Sequence, residues 1–534
     1  MKIIGYHINQ SGIYTSEGEY CTQAPFLDFL LQPKLDTIRV FYHMEYSTAN
    51  LLKLIGLTED EARKLQENNT LHLEAYTIKH IAGKYLSLKK GHYYKCPFSN
   101  FGDMNQYKLA EFKSTANENE TKEICLVFAK EAQKTGEEVY NTLVSMGLHP
   151  TTLTSPIKAY EKEVLSKMDL PTVDDMPEEA GFYAYQSCQG NWLEAFQMGH
   201  WETAYDYDIN SSYPSELAKL VDIRLGKFEK SKTWMHKAKY GYCRGIVTIT
   251  APFSPINYNV KSSMGMGMGN SNYTPTGTRE AFLTKSQVEF INNWQLGKFE
   301  LLDGWWWTPE KEEKILKSII EQLYWQKEQS EGLSKKIIKR TASGIWGKFL
   351  QVQKDGFGDR FNPVYGTEPE TNIKLRVADF VLRNKVMPIQ VTVDGVTFGQ
   401  AASYPEDKNR IGRWELASAT SCICAGTATI AMKNKEKNAD FSLSYEWLME
   451  EIKRNPKASE YSMEKLSPVT LAVALNGNWD KLGTLRKITK TIYIGNDTKR
   501  CYREKPKNGE GLLSKHFQSE PWDVSILECP LEVN

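Results

Sequence analysis

An extended run at residues 205–214, Tyr205-Asp206-Tyr207-Asp208-Ile209-Asn210-Ser211-Ser212-Tyr213-Pro214, constrains this chain more than any other stretch. Side chains alternate along a strand, so Asp206 and Asp208 share one face just before the chain turns. Two acids on one strand face repel unless a cation sits between them and a partner. A second stretch, Lys339-Arg340-Thr341-Ala342-Ser343-Gly344-Ile345-Trp346-Gly347-Lys348-Phe349, reads as a helix. Between positions 327 and 348 there are six basic residues (327, 335, 336, 339, 340, 348) against two acidic ones (328, 331). Lys335 and Lys339 stand four apart on one helix face, where they can grip one polyphosphate. The third stretch, Ile389-Gln390-Val391-Thr392-Val393-Asp394-Gly395-Val396-Thr397-Phe398, is a pair of β-runs joined at Asp-Gly, a hairpin signal that puts Asp394 at a tip. A strand carboxylate, a lysine-bearing helix and a hairpin-tip carboxylate are the parts that two-metal phosphoryl or nucleotidyl transfer requires.

The 534 residues suffice for three or four structural units at roughly 100–200 residues each. Hydrophobic residues at 41%, aromatics at 12% and charged residues at 25% describe an ordinary folded protein, and no apolar run approaches the roughly 18 residues of a membrane span. The nine cysteines are scattered and odd in number, with only Cys422 and Cys424 close, which fits reduced thiols and a cytoplasmic setting better than a disulfide framework. Those two read as buried thiols rather than a metal site, because no second pair accompanies them. The opening MKIIGYHI has too short an apolar stretch for a secretory signal and reads as a first strand. Lys plus Arg and Asp plus Glu both total 66, so net charge does not announce nucleic acid, although a neutral total can conceal a basic channel. No C-x-x-C pair, Walker loop, G-x-G-x-x-G after a strand or G-x-S-x-G elbow is found, which excludes the usual enzyme motifs.

Residues 47–57 and 129–146 have helical character, residues 245–250 read as a strand, and the polar, proline-containing run 170–179 marks a boundary. Residues 264–269 form an alternating Met-Gly run inside a Ser/Asn/Gly-rich loop. Trp305-Trp306-Trp307 precede Thr308 and Pro309, with Glu310, Glu312 and Glu313 behind them, a pattern that predicts a helix start there. That helix should run to about Lys327, break at Ser330-Glu331-Gly332 and return over residues 334–346 as a helical hairpin. The tryptophans could stack bases, but core packing is the better reading beside a helix cap.

Asp208-x-x-Ser211-x-Tyr213-Pro214 resembles motif A of family B DNA polymerases, Lys339-x-x-x-Ser343-Gly344-x-Trp346-Gly347 has the spacing of motif B, and Thr392-Val393-Asp394-Gly395 stands where motif C would be. Within that family the chain is most similar to the phage-type, protein-primed branch: Val364-Tyr365, Ile411-Gly412-Arg413-Trp414, and Tyr185 with Gly190 and Trp192 look like degraded forms of its segments. The resemblance covers residues 181–426 well and the rest weakly. It implies that Asp208 and Asp394 hold two metal ions, Mg²⁺ or Mn²⁺. Tyr213 would be the steric gate against a ribose 2′-hydroxyl. Lys327, Lys335, Lys339 and Ser343 would meet the nucleotide, and Trp346 the nascent base pair. Tyr185, Lys348, Lys490 and Tyr493 are the DNA-contact candidates, the last two as a displaced form of a primer-binding Lys-x-Tyr signature.

Departures from the family pattern carry information. Motif C in the family usually reads Asp-Thr-Asp-Ser, whereas Thr392 and Gly395 replace its first and last residues. Asp206 could supply the missing charge from the same face as Asp208. Taken alone, Asp206 reads as an exposed strand residue and Asp394-Gly395 as a turn. The N-terminal region should correspond to the family's 3′-5′ exonuclease, yet Ile4-Gly5-Tyr6-His7-Ile8-Asn9 lacks the Asp-x-Glu that such chemistry needs. In Phe41-Tyr42-His43-Met44-Glu45-Tyr46-Ser47-Thr48 the second nuclease aspartate is also missing, leaving Glu45 as an exposed acid and His43 as a satisfied histidine. Only about 40 residues separate Phe349 from Val391, so the family's insertion there is shortened.

The resemblance thus implies an α+β multidomain, right-hand polymerase. Residues 1–180 would be an RNase H-like, degenerate exonuclease domain, and 181–308 palm with an insertion. Residues 309–349 would be fingers, 350–410 the second palm part, and 411–534 thumb and C-terminal region. The expected function is template-directed DNA synthesis without proofreading in a phage or mobile element. DNA primer-template and dNTPs would be partners, with a protein primer or other replication proteins, and no membrane. The rival expectation is a catalytically inactive relative that binds nucleic acid or a replication partner.

Overall fold

The structure, a computed structural model, describes residues 1–32, 36–82, 85–91, 98–104, 121–153, 155–260, 271–353, 356–404, 410–427, 429–433 and 443–528. The Met-Gly run at 264–269, Cys96 and Cys529 lie outside the described residues. The chain divides into two compact units, one of Met1–Met168, Trp325–Thr341 and Met463–Thr489, the other of Asp169–Tyr324, Ala342–Ser462 and Lys490–Asn534. The expected α+β multidomain class is what the two units present.

The first unit is organised by the opening strand, Lys2–Asn9, whose Ile3, Ile4, Tyr6 and Ile8 are all buried because both sheet faces are covered. It pairs antiparallel with Gly12–Thr15 and parallel with Thr37–Phe41, which in turn pairs parallel with Phe98–Asp103. The sheet continues antiparallel through Tyr85–Lys90, Tyr76–Ile81 and Thr70–His72. Helix Lys122–Ser145 lies on the opening strand, and Gly5 lets it come that close: a Cβ there would overlap the Ala129 carbonyl oxygen. Helix Glu59–Asn68 starts on a Thr58/Glu61 capping box and buries Ala62 and Leu65 in a core that also takes Val469, Leu471 and Leu482.

In the second unit the central sheet runs in the order Thr429–Met432, Trp414–Gly426, Gln197–Ile209, Gly395–Phe398, Gln390–Thr392, Leu193–Ala195, with Phe517–Gln518 pairing at the start of Gln197–Ile209. Helix Pro363–Asn384 packs Val377, Ala378, Phe380 and Val381 into the same core as Tyr207, Val391, Val396 and Phe398. Full burial of such side chains is worth about 1.5–3 kcal/mol each, so Tyr207 faces the core. Alternation then turns Asp206 and Asp208 to the opposite face. Cys422 and Cys424 are buried in the sheet's core, and every described cysteine is a free thiol.

A second sheet of this unit corrects the expected helix start at Thr308. Residues Gly297–Pro309 form one strand carrying all three tryptophans, flanked by Gly226–Ser231 and Tyr240–Ile249, and the helix begins only at Lys317. The cap signal is local and weak, whereas the strand is paired with Tyr240–Ile249 over residues 297–307 and with Gly226–Ser231 over residues 304–309. Trp306 and Trp307 are fully buried, and the Trp307 indole N–H donates to the Ile223 carbonyl at 2.8 Å. The acids that imitated a first helical turn serve as ion-pair partners instead, Glu310 for Lys227 and Glu312 for Lys239. The two helices expected after it are present, as Lys317–Glu328 and Gly332–Phe349. Among the described residues, no helix is long and apolar enough to cross a membrane.

Candidate active site

Strand register brings the two sequence-predicted aspartates together. Asp208 lies directly across from Gly395, and the Ile209 N–H donates to the Asp394 carbonyl at 3.1 Å. The Ser212 hydroxyl donates to Asp394 Oδ2, and both carboxylates are half-buried. The turn differs from the expected Asp-Gly turn. Thr392 pairs with Gly395, so the two-residue loop is Val393-Asp394 and Gly395 opens the returning strand. Val393 has φ +57°, an outlier for a β-branched residue, and Ser211, just after strand Gln197–Ile209, has φ 53° and ψ 50°. Such conformations cost about 1–3 kcal/mol each and persist only where the surrounding structure dictates them. The Val393 N–H is tied to the Trp192 carbonyl at 2.8 Å.

Gly395 stands where the strands crowd. A Cβ there would sit 3.1 Å from Thr392 Oγ1, 3.2 Å from the Tyr207 carbonyl and 3.5 Å from Asp208 Oδ1. The Thr392 hydroxyl and the Asp208 carboxylate therefore reach the same small space. Asp206 is buried rather than exposed, at 8%, and its Oδ1 accepts from the Thr397 hydroxyl at 2.9 Å. Among the described residues no three acids, histidines or cysteines are grouped so as to hold one ion.

Tyr213 and Trp346 touch, with ring centroids 4.4 Å apart and tilted by 40°. The Tyr213 hydroxyl donates to Asn191 Oδ1 at 2.9 Å, and burial, with Glu370 and Asp394 nearby, pushes its phenol well above the ordinary value. The Trp346 indole N–H donates to the Gly366 carbonyl at 2.7 Å. Asn191 lies in a loop pinned from several sides. Lys374 donates to the Gly190 carbonyl at 3.0 Å while paired with Glu370 at 2.9 Å, and Asn257 Nδ2 reaches the Gly190 carbonyl at 3.0 Å. Gly190 has φ +78°, and a Cβ there would press on Asn272 at 2.6 Å. Asn191, Asn257, Glu370 and Lys374 were missed by sequence reasoning. Only the i,i+4 spacing of Glu370 and Lys374 was a signal.

The segment Ile411-Gly412-Arg413-Trp414 packs on the motif A turn. The Asn210 N–H donates to the Arg413 carbonyl and the Gly412 N–H to the Asn210 carbonyl, both at 2.9 Å, while Arg376 binds Glu216 and the Gly412 carbonyl.

The predicted phosphate lysines differ from one another. Lys335 and Lys339 are exposed on Gly332–Phe349, with no ion pair among the described residues, whereas Lys327 is buried at 5% and paired with Glu328 at 2.9 Å. Ser343 lies further along the same helix, half-buried, and Lys348 donates to Gln351 at 3.2 Å. Tyr185 is 43% exposed on helix Glu178–Ser187. Lys490 and Tyr493 lie on strand Leu485–Tyr493, Tyr493 half exposed.

Where a nuclease would need acids, the first unit has packing groups. Asn9 Nδ2 donates to Cys125 Sγ at 3.2 Å, His7 stacks on Tyr46 with centroids 5.8 Å apart, and Phe128 lies 5.0 Å from His7 and 4.7 Å from Tyr42. His43 is satisfied, its Nδ1 accepting the Tyr46 N–H at 3.3 Å. Glu45 is not the expected exposed acid: it is 18% exposed and faces His80 at 3.4 Å, because the helix it begins packs against the sheet.

No protein-family model matches the chain, and no curated protein does. Among solved structures, phi29 DNA polymerase complexed with primer-template DNA and incoming nucleotide is similar, with TM-score 0.59 and 14% identity over 92% of this chain and 99% of that one. Phi29 DNA polymerase complexed with single-stranded DNA gives TM-score 0.61 and 13% identity over 92% and 100%. The chain therefore has the fold of that protein-primed, family B DNA polymerase, and at this identity the likeness establishes the fold alone.

Proposed function

We propose that this protein is a template-directed DNA polymerase without 3′-5′ proofreading, acting on primer-template DNA and dNTPs by two-metal nucleotidyl transfer. The observation that carries the reading is the juxtaposition of Asp208 and Asp394, half-buried, between two residues in left-handed conformations. Strain at a catalytic position is maintained for chemistry, not for packing. Both carboxylates offer the hard oxygens that Mg²⁺ takes, and Mg²⁺ is commonly held by one or two carboxylates with substrate phosphates and waters, so the pair fits without a third acid. Bound there, Mg²⁺ or Mn²⁺ would neutralise charge developing on the transferred phosphoryl group and polarise its oxygens.

The chain's own residues supply the rest. Tyr213, held by Asn191 and seated on Trp346, presents a fixed ring edge that excludes a ribose 2′-hydroxyl. Lys335 and Lys339 contact the triphosphate and Lys327 acts from its pair with Glu328, while Ser343 and Trp346 shape the nucleotide's surroundings. Asp206 adds negative charge from its bond to Thr397. Tyr185 and Lys348 contact the template-primer, and Lys490 with Tyr493 the primer strand. The aromatic and thiol packing around Asn9 and His7 supports the absence of proofreading, and replication of a phage or mobile element, with a protein primer, is the setting that fits the fold.

Extension of a labelled primer on a template, lost in Asp208→Ala, tests this. A second reading, a non-catalytic relative that binds nucleic acid, is favoured by Thr392 in the place of an acid. DNA binding with no extension under Mg²⁺ or Mn²⁺ would select it.

A further inference from the structure

The first unit contains a cavity of about 330 Å³ between its outer hairpin and the segment that follows the long helix. Lys79 of strand Tyr76–Ile81 lines it, directly opposite Ser87 on Tyr85–Lys90, which lines it too. From the other side come Lys158 and Lys162, four apart on helix Pro156–Glu163 and so on one face. All three lysines are exposed and have no ion pair among the described residues. The cavity's single acid, Glu163, is already engaged, accepting the His149 backbone N–H at 2.9 Å and facing its ring at 3.7 Å. Hydroxyls of Thr151, Thr152 and Ser155 complete the wall, and Ser155 does not cap the helix through its side chain.

Three like charges around one cavity repel, and the one carboxylate in its wall, Glu163, is engaged by the His149 N–H; an excess of positive donors over charged acceptors describes a place for an anion. We propose that this cavity binds phosphate, carried by a nucleic-acid strand or by a free nucleotide. It lies wholly within the first unit, and it does not depend on polymerase activity.

The test reads lysine reactivity in the full chain by acetylation and mass spectrometry, with inorganic pyrophosphate, dATP or a short oligo(dT) as probes. Lys79, Lys158 and Lys162 should each lose at least about three-fold in reactivity, as expected when ammonium groups are held against phosphate. Protection by pyrophosphate and dATP assigns a free nucleotide, and protection by oligo(dT) alone assigns a strand. In the strand case Lys79→Gln/Lys158→Gln/Lys162→Gln should lower the salt slope of oligo(dT) binding by about 0.7 for each phosphate that is no longer neutralised, and the corresponding arginine variant should restore it. Primer extension should be equal in wild type and variant, so failure here is separable from failure of the polymerase reading. Unchanged reactivity at all three lysines with every probe overturns the proposal.

Discussion

The two units treat ionisable groups in opposite ways. In the first, the sheet region where nuclease acids would stand is packed with His7, Tyr42, Tyr46, Cys125 and Phe128, and the acid Glu45 is paired with His80. In the second, Asp208 and Asp394 stay half-buried beside strained backbone at Ser211 and Val393. Apolar filling of a cleft gains packing and relieves like-charge repulsion, which is what the proposed lack of proofreading would allow in the first unit. Carboxylates held side by side beside strained backbone are what the proposed two-metal chemistry requires of the second unit.

The sharpest way to break this contrast is to remove the retained acids. Asp394→Ala should lower nucleotide addition at least about 10²–10³-fold, the scale of losing one group aimed at developing charge, with primer-template affinity little changed in a gel-shift assay. Chelator-sensitive release of nucleotides from a 3′-labelled single strand would break the contrast from the other side, and none is expected.

Next in size is a stability effect confined to the second unit. Glu368 is fully buried with Tyr242 donating to it at 3.0 Å, and burial, opposed by that hydrogen bond, raises its carboxyl from 4.5 to about 7. At low pH both folded and unfolded forms are protonated there. As pH rises through the unfolded value the unfolded chain ionises first, so stability falls until the folded carboxyl has titrated, a loss of order 3 kcal/mol. Glu368→Gln should therefore melt higher than wild type at pH 8, with the gap closing at pH 5.

A double-mutant cycle asks whether charge has moved between strands. Asp206→Ala should reduce activity, Thr392→Asp should restore part of it in that background, and a coupling of about 1–3 kcal/mol is expected. Additive effects would place Asp206 in a purely structural role with Thr397. The smallest effect belongs to Val393→Gly. Relief of a left-handed conformation costing about 1–2 kcal/mol is partly offset by glycine's entropy of about 0.5–1 kcal/mol, so a melt should show a gain of up to about 1.5 kcal/mol.

The order and spacing of Asp208, Lys339 and Asp394 were legible in the sequence because each sits on an element whose local pattern is strong: an alternating strand, a basic helix and a hairpin. The turn slipped by one residue because Asp-Gly is the stronger local signal, while pairing of Gly395 with Thr392 and Asp208 fixes the register from outside. The tryptophan strand was hidden for the same reason, its partners lying far away in sequence. Asn191 and Lys374 were invisible because a loop carbonyl held from a helix 184 residues away leaves no periodic trace.

One gel tests the contrast between the units most directly. A 5′-labelled primer on a longer template is incubated with the protein and Mg²⁺ or Mn²⁺, with and without dNTPs. The primer should lengthen when dNTPs are present and remain intact when they are withheld, with Asp208→Ala inert in both lanes. A primer that shortens without dNTPs, or one that never lengthens under either metal, would contradict it.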